Sequence, residues 1–105
     1  MAIRKDEASS LKLMDAETTA SFNSTLLSRV KYVHTTVQVD GDSGGSAEIF
    51  TSAEEQFDET VVNNSLQSEG VISVGNKVVF FGAVNFIKAV KDGGTGAVTV
   101  RVTSR

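Results

Sequence analysis

Residues 71–104 constrain the fold more than any other stretch. They read VISV, a Gly75-Asn76 pair, KVVFFGAVNFIKAV, a glycine-rich break and AVTVRVTS. Residues 78–81 form the most continuous apolar run in the chain, and such a run puts bulk on both faces of a strand, the pattern of one buried on each side. A two-residue Gly-Asn loop between apolar runs predicts a hairpin, because glycine supplies the positive φ of a type II′ turn. In that register Val74 faces Lys77, Ser73 faces Val78, Ile72 faces Val79 and Val71 faces Phe80. Gly82 marks a bulge or bend. Val84, Phe86 and Ile87 continue the apolar content, and Lys88 and Lys91 mark its wet end. After the turn DGGTG at 92–96, Val98, Val100 and Val102 face inward and Thr99, Arg101 and Thr103 outward, the cleanest alternation in the chain.

Upstream, Val33, Thr35, Val37 and Val39 alternate with Tyr32, His34, Thr36 and Gln38, which predicts a half-buried strand over 30–39. DGDSGG at 40–45 is a turn cluster, and Ala47, Ile49 and Thr51 alternate after it. The two runs read as a hairpin with a longer loop. Ser52-Ala-Glu-Glu55 then has the form of a capping box, with Ser52 as N-cap. Ala53, Phe57 and Val61 recur every four residues, so a helix is predicted over about 53–62, with a strand at 60–67 as the competing reading.

The first 28 residues follow neither period. RKDEASSLKLM suits a short helix with Asp6 and Glu7 in its first turn. TTASFNSTLLS sets Phe22, Leu26 and Leu27 among small polar residues and suits an arm that docks on a neighbouring surface. Helix, loop and arm all stay open. The sum is a mainly β chain: a small antiparallel β-sandwich or open barrel with one short helix, divided into an N-terminal arm or short helix over 1–28 and a β-rich domain over 29–105. Without the first 28 residues the core is small, which favours sharing it with neighbours.

Bulk properties narrow the function. One hundred and five residues suit a single domain, and a net charge of −3 gives no basic footprint for nucleic acid. The absence of cysteine removes disulfides, zinc–thiolate sites and thiol nucleophiles. Neither a signal peptide nor a membrane span is expected, so synthesis in a cytoplasm is. Charge is uneven: residues 40–69 carry eight acids and no base, and residues 70–105 carry five bases against one acid. An acidic middle and a basic end suit complementary surfaces between copies, although acids at a helix start and lysines at strand edges give the same pattern.

The chemistry-bearing residues do not assemble into a catalytic, cofactor or metal motif. His34 is the single histidine and lacks a second metal ligand or a nucleophile to activate. Asp40 and Asp42 resemble the start of a calcium loop, but glycine stands at the fifth position and Thr51 at the twelfth, so a turn is the better reading. Glu54, Glu55, Asp58 and Glu59 lie along one short helix rather than across a cleft. Residues 93–96 lack the lysine and helix of a phosphate loop. No enzyme is expected.

The cysteine- and tryptophan-free, Ala/Gly/Ser/Thr/Val-rich makeup, the ambiguous first 28 residues and a β-domain ending in AVTVRVTSR are similar to the small structural proteins of tailed bacteriophages, especially head decoration (cement) proteins and small tail components. That resemblance implies a non-enzymatic virion protein, often trimeric, that bridges neighbouring capsid subunits through its N-terminal segment or a sheet edge. The expected partners are other copies and a major capsid or tail protein, with Phe22, Leu26 and Leu27 as partner-binding residues and neither nucleic acid nor membrane involved. The competing expectation is a soluble binding module for a small molecule or glycan, with its site at the loops 40–45 and 92–96.

Overall fold

The computed structural model describes residues 9–29, 32–55, 58–82 and 84–105. Among them are eight strands and one helix: β1 (Ser9–Glu17), β2 (Leu27–Ser28), β3 (His34–Gly41), β4 (Ser46–Ser52), α1 (Glu59–Ser65), β5 (Gln67–Ser73), β6 (Asn76–Phe81), β7 (Phe86–Lys91) and β8 (Val98–Ser104). They form two four-stranded sheets, β1-β8-β3-β6 and β2-β7-β4-β5, with antiparallel pairing throughout. The fold is an open sandwich, not a closed barrel.

Alternation builds the core. Val37 and Val39 of β3 and Val98, Val100 and Val102 of β8 meet Ala47 and Ile49 of β4 and Ile87 and Ala89 of β7, all fully buried. Period-2 patterning turns every one of these side chains to the same side of its sheet. Thr35 and Ser104 share a hydrogen bond of 3.1 Å at one end of this layer, so the two buried hydroxyls satisfy each other. The core is aliphatic and thin, and Met14, Ile72 and Val84 close its margins.

Connectivity departs from the sequence reading. The predicted 30–39/46–51 hairpin is not formed: β3 pairs with β6 and β8, and β4 pairs with β5 and β7. The turn between them carries the chain from one sheet to the other. Gly41 makes this possible, because its φ is +144° and a Cβ there would lie 2.1 Å from the Ala97 carbonyl oxygen. The Gly75-Asn76 hairpin is likewise replaced. Gly75 has the predicted positive φ, +88°, but its N–H donates to the Val39 carbonyl (2.7 Å) and the Val74 N–H to the Gly45 carbonyl (3.0 Å). Those bonds dock the turn across the sandwich, so β5 and β6 lie in different sheets. Among the described strands only β4 and β5, joined through α1, are both consecutive and paired.

Three further expectations are corrected. The described part of the helix read over RKDEASSLKLM is strand β1, paired with β8; residues 4–8 lie outside the described residues. The helix starts later than the capping box suggested. Asp58 is the N-cap, its Oδ1 accepting from the N–H groups of Thr60 (2.9 Å) and Val61 (3.3 Å). Ser52 stays in β4 opposite Phe86, and its hydroxyl is engaged by Glu54 N–H and Ser65 Oγ. Phe57 lies outside the described residues. Lys91 does not mark a wet end: it follows Ile87 and Ala89 on the inner face of β7, opposite Ala47, and is buried. Its ammonium donates to the Gly94 carbonyl and lies 3.7 Å from Asp92 Oδ1, which satisfies the charge locally.

Candidate functional site

The run at 78–81, predicted to be buried on both faces, is the outer edge of its sheet. β6 pairs with β3 in an unbroken register, His34 opposite Phe81 through Val39 opposite Asn76. Beyond β6 no described strand follows. The residues opposite buried Thr35 and Val37 point inward, so Phe80 packs against the core and Val78 leans toward it. Val79 and Phe81 fall on the outer face, 42% and 73% exposed, and Val78 is 38% exposed. The edge therefore combines open backbone with apolar side chains on both faces.

The other three edges are guarded in the ways that prevent unwanted strand pairing. β1 is broken by register shifts between Lys12 and Met14 and between Met14 and Glu17, and Ala16 takes a φ of +50°. β2 is two residues long. β5 faces a bulge between Ile49 and Phe50, carries Gly70 at φ +107° and is mostly polar. β6 has a regular register and one charged residue, Lys77 at its start.

A shallow groove of about 390 Å³ runs along the outer face beside this edge, lined by His34, Thr36, Val79, Phe81, Lys77 and Arg105 among others. The His34 and Phe81 rings meet edge-to-face, which holds Phe81 over the sheet. Lys12 and Arg101 are cross-strand partners further along the same sheet, and Lys12 lies 3.4 Å from Asp15 Oδ1. Acids lie on both sheets: Asp15 and Glu17 on β1 and Asp40 on β3, and Glu48 on β4 and Glu69 on β5, with Asp58 and Glu59 at the start of α1. The segregation seen in sequence therefore does not become a separation of one sheet from the other, since bases and acids occur on the strands of both.

The remaining candidates are occupied by structural roles. Phe22 and Leu27 pack against the chain's own core, and Leu26 is half-buried. Segment 22–29 lies along β7, with Lys91 N–H donating to the Phe22 carbonyl and Ser24 N–H to the Ala89 carbonyl. The loops at 40–45 and 92–96 do come together, because Asp42 Oδ2 accepts from Ala97 N–H at 2.9 Å and Asp92 accepts from Ser46 N–H. Asp40 accepts from Gln38 Nε2. The two aspartates of the calcium-like sequence thus have protein partners, and among the described residues no three acidic or histidine side chains form a metal-holding group. A second groove, of about 570 Å³, is lined by Thr51, Glu54, Glu55, Gln67 and Glu69 among others, and Glu69 accepts from Thr51 Oγ1 at 2.6 Å. No described helix is long and apolar enough to cross a membrane.

The β6 edge was legible in part: the apolar run and Gly82 mark its extent. Its exposure was not, because a strand with one neighbour and a strand with two can carry the same residues.

No protein-family description matches the chain, and no curated protein does. Among solved structures it is similar to the SPBc2 prophage-derived protein YomS, with a TM-score of 0.67 and 16% identity, over 92% of this chain and 91% of that one. It is also similar to a part of a structure described as IMPa metallopeptidase in complex with T-antigen, with 19% identity over 92% of this chain and 12% of that one. The TM-score there is 0.49, too low to bear on function.

Proposed function

We propose that the chain is a non-enzymatic structural protein of a phage or phage-derived particle, made in the host cytoplasm and carried in the virion. There it stabilises a capsid or tail assembly, as a decoration or cement protein does, by bridging neighbouring subunits. The observation that carries this reading is the β6 edge, which offers unpaired backbone and exposed Val79 and Phe81 while the other three edges are guarded. Strand addition at such an edge gives affinity through main-chain hydrogen bonds and selectivity through alternate side chains. The partners are further copies of the chain and a major capsid or tail protein. The phage setting is supported by the whole-length likeness of fold to a prophage-derived protein.

Mass spectrometry of particles purified from the strain that carries the gene tests the reading. Stoichiometric recovery in particles is expected, with loss from particles when Val79 and Phe81 are both replaced by serine. Recovery only in the particle-free lysate would overturn it.

A further inference from the structure

We propose that β6 is the seat of a two-fold contact between two copies of this chain, in which the two β6 strands pair antiparallel with Val79 on the axis. The inference rests on the self-association in the function proposed above and names its surface and symmetry.

The backbone sets the register. Gly82 N–H donates to the Val33 carbonyl at 2.9 Å. In an antiparallel ladder, residues bonded to one neighbour alternate with residues whose peptide groups face the other way. Counting back from Gly82, Phe80, Val78 and Asn76 face β3, so Lys77, Val79 and Phe81 turn their N–H and C=O groups to the open side. One two-fold register pairs all three within the strand: Val79 opposite the partner's Val79, and Lys77 opposite the partner's Phe81.

Side-chain chemistry agrees with that register. It sets each Lys77 ammonium beside an exposed aromatic ring, a favourable cation–π neighbour. It also keeps the two Lys77 charges at opposite ends of the pair, whereas a parallel in-register arrangement would put like charges side by side. Val79 and Phe81 of both copies then form one apolar strip on the outer face.

The contact also closes. Joining two β6 edges gives a continuous sheet in the order β1-β8-β3-β6-β6-β3-β8-β1, whose two ends are the bulged β1 strands. Guarded ends stop further addition, so an isologous pair forms rather than a fibre.

The chain has no cysteine, which makes single-cysteine crosslinking a clean test. Residues opposite in a hydrogen-bonded antiparallel pair have Cα atoms about 5.5 Å apart, within disulfide reach. Under mild oxidation Val79→Cys is expected to become a covalent dimer. Lys77→Cys alone and Phe81→Cys alone stay uncrosslinked, and their mixture gives the heterodimer. A Val79→Cys chain that crosslinks no faster than Val71→Cys on β5, or a Lys77→Cys homodimer, would overturn the register.

Val79→Pro supplies the second measurement. It removes only an N–H that faces away from β3, a position where an edge strand tolerates proline. The circular dichroism should be unchanged, and the mass in light scattering should fall from twice 11.1 kDa to 11.1 kDa. Wild-type self-association that survives in Val79→Pro would sink this two-fold but leave the assembly function standing. A wild type that is monomeric at every concentration also sinks the two-fold, and the particle content then decides the function separately. Masses that climb past the dimer would point to open stacking and count against closure.

Discussion

His34 and Phe81 stand opposite one another across β3 and β6, with ring centroids 4.9 Å apart and planes at 79°. The contact is edge-to-face, the favoured geometry for two aromatic rings. It gives Phe81 a fixed direction without burying it. The most exposed large apolar side chain among the described residues is thus held in place over the outer face of a sheet edge. An aromatic ordered but left in water suits contact with a partner better than it suits the chain's own stability.

Phe81→Ala should therefore cost the isolated chain about 1 kcal/mol or less, the range of one exposed aromatic pair. Ile49→Ala, in the fully buried core, should cost about 2–5 kcal/mol. Chemical denaturation in dilute solution compares the two. Light scattering of concentrated Phe81→Ala should show weakened association although its fold is almost as stable.

Lys91 is buried with its ammonium on the Gly94 carbonyl and beside Asp92. Lys91→Ala opens a cavity and takes the ammonium from the Gly94 carbonyl, so a loss of about 3–5 kcal/mol is expected. Lys91→Met keeps the volume and removes the buried charge, and its loss should be clearly smaller. Denaturation midpoints of both variants test the ranking. Equal losses would show that the charge of Lys91 and its hydrogen bond, not the volume of its stem, matter.

Asp92 receives the N–H of Gly94 and then that of Ser46, and these bonds hold its carboxyl below the ordinary aspartate value. A depressed folded value means that the unfolded chain binds the proton first as pH falls. The contribution is fully present above the ordinary value of about 3.9 and is lost as pH drops through the lower folded value. Asp92→Asn should thus be less stable than wild type at neutral pH, and the gap should narrow at acid pH. Thermal melts from pH 7 downward measure it. A gap that stays constant would contradict the role given to the ionised carboxylate.

Asp58 carries the helix N-terminus through two backbone N–H groups. Asp58→Ala should cost about 0.5–2 kcal/mol and shorten α1. Ser52→Ala should leave the cap intact and act only through its contacts with Ser65 and Glu54. Amide chemical shifts of Thr60 and Val61 separate the two effects.

Faces were legible in the sequence; neighbours were not. Val98, Val100 and Val102, Val37 and Val39, and Ala47 and Ile49 all lie inward as their alternation predicts, because side-chain direction has a period of two whatever the pairing. Pairing depends on where a turn sends the chain. The positive φ of Gly75 was predictable, yet the same φ serves a hairpin within one sheet and a turn between two. Gly41 shows what decides: its close approach is to Ala97, about half the chain away in sequence, and no local pattern encodes it. Lys91 was misread for a related reason, since charge suggested solvent while its place after Ile87 and Ala89 put it inside. For the site, the apolar run at 78–81 was visible but its single neighbour was not, and Phe22 and Leu27 proved to lie on the chain's own core.

The most direct test of the β6 account is amide hydrogen exchange followed residue by residue in dilute and in concentrated solution. Asn76, Val78 and Phe80, bonded to β3, should be protected in both. Lys77, Val79 and Phe81 should exchange fast when dilute and become protected when concentrated, as the second copy supplies their partners. Fast exchange of those three at both concentrations, or new protection appearing at β1 or β5 instead, would contradict it.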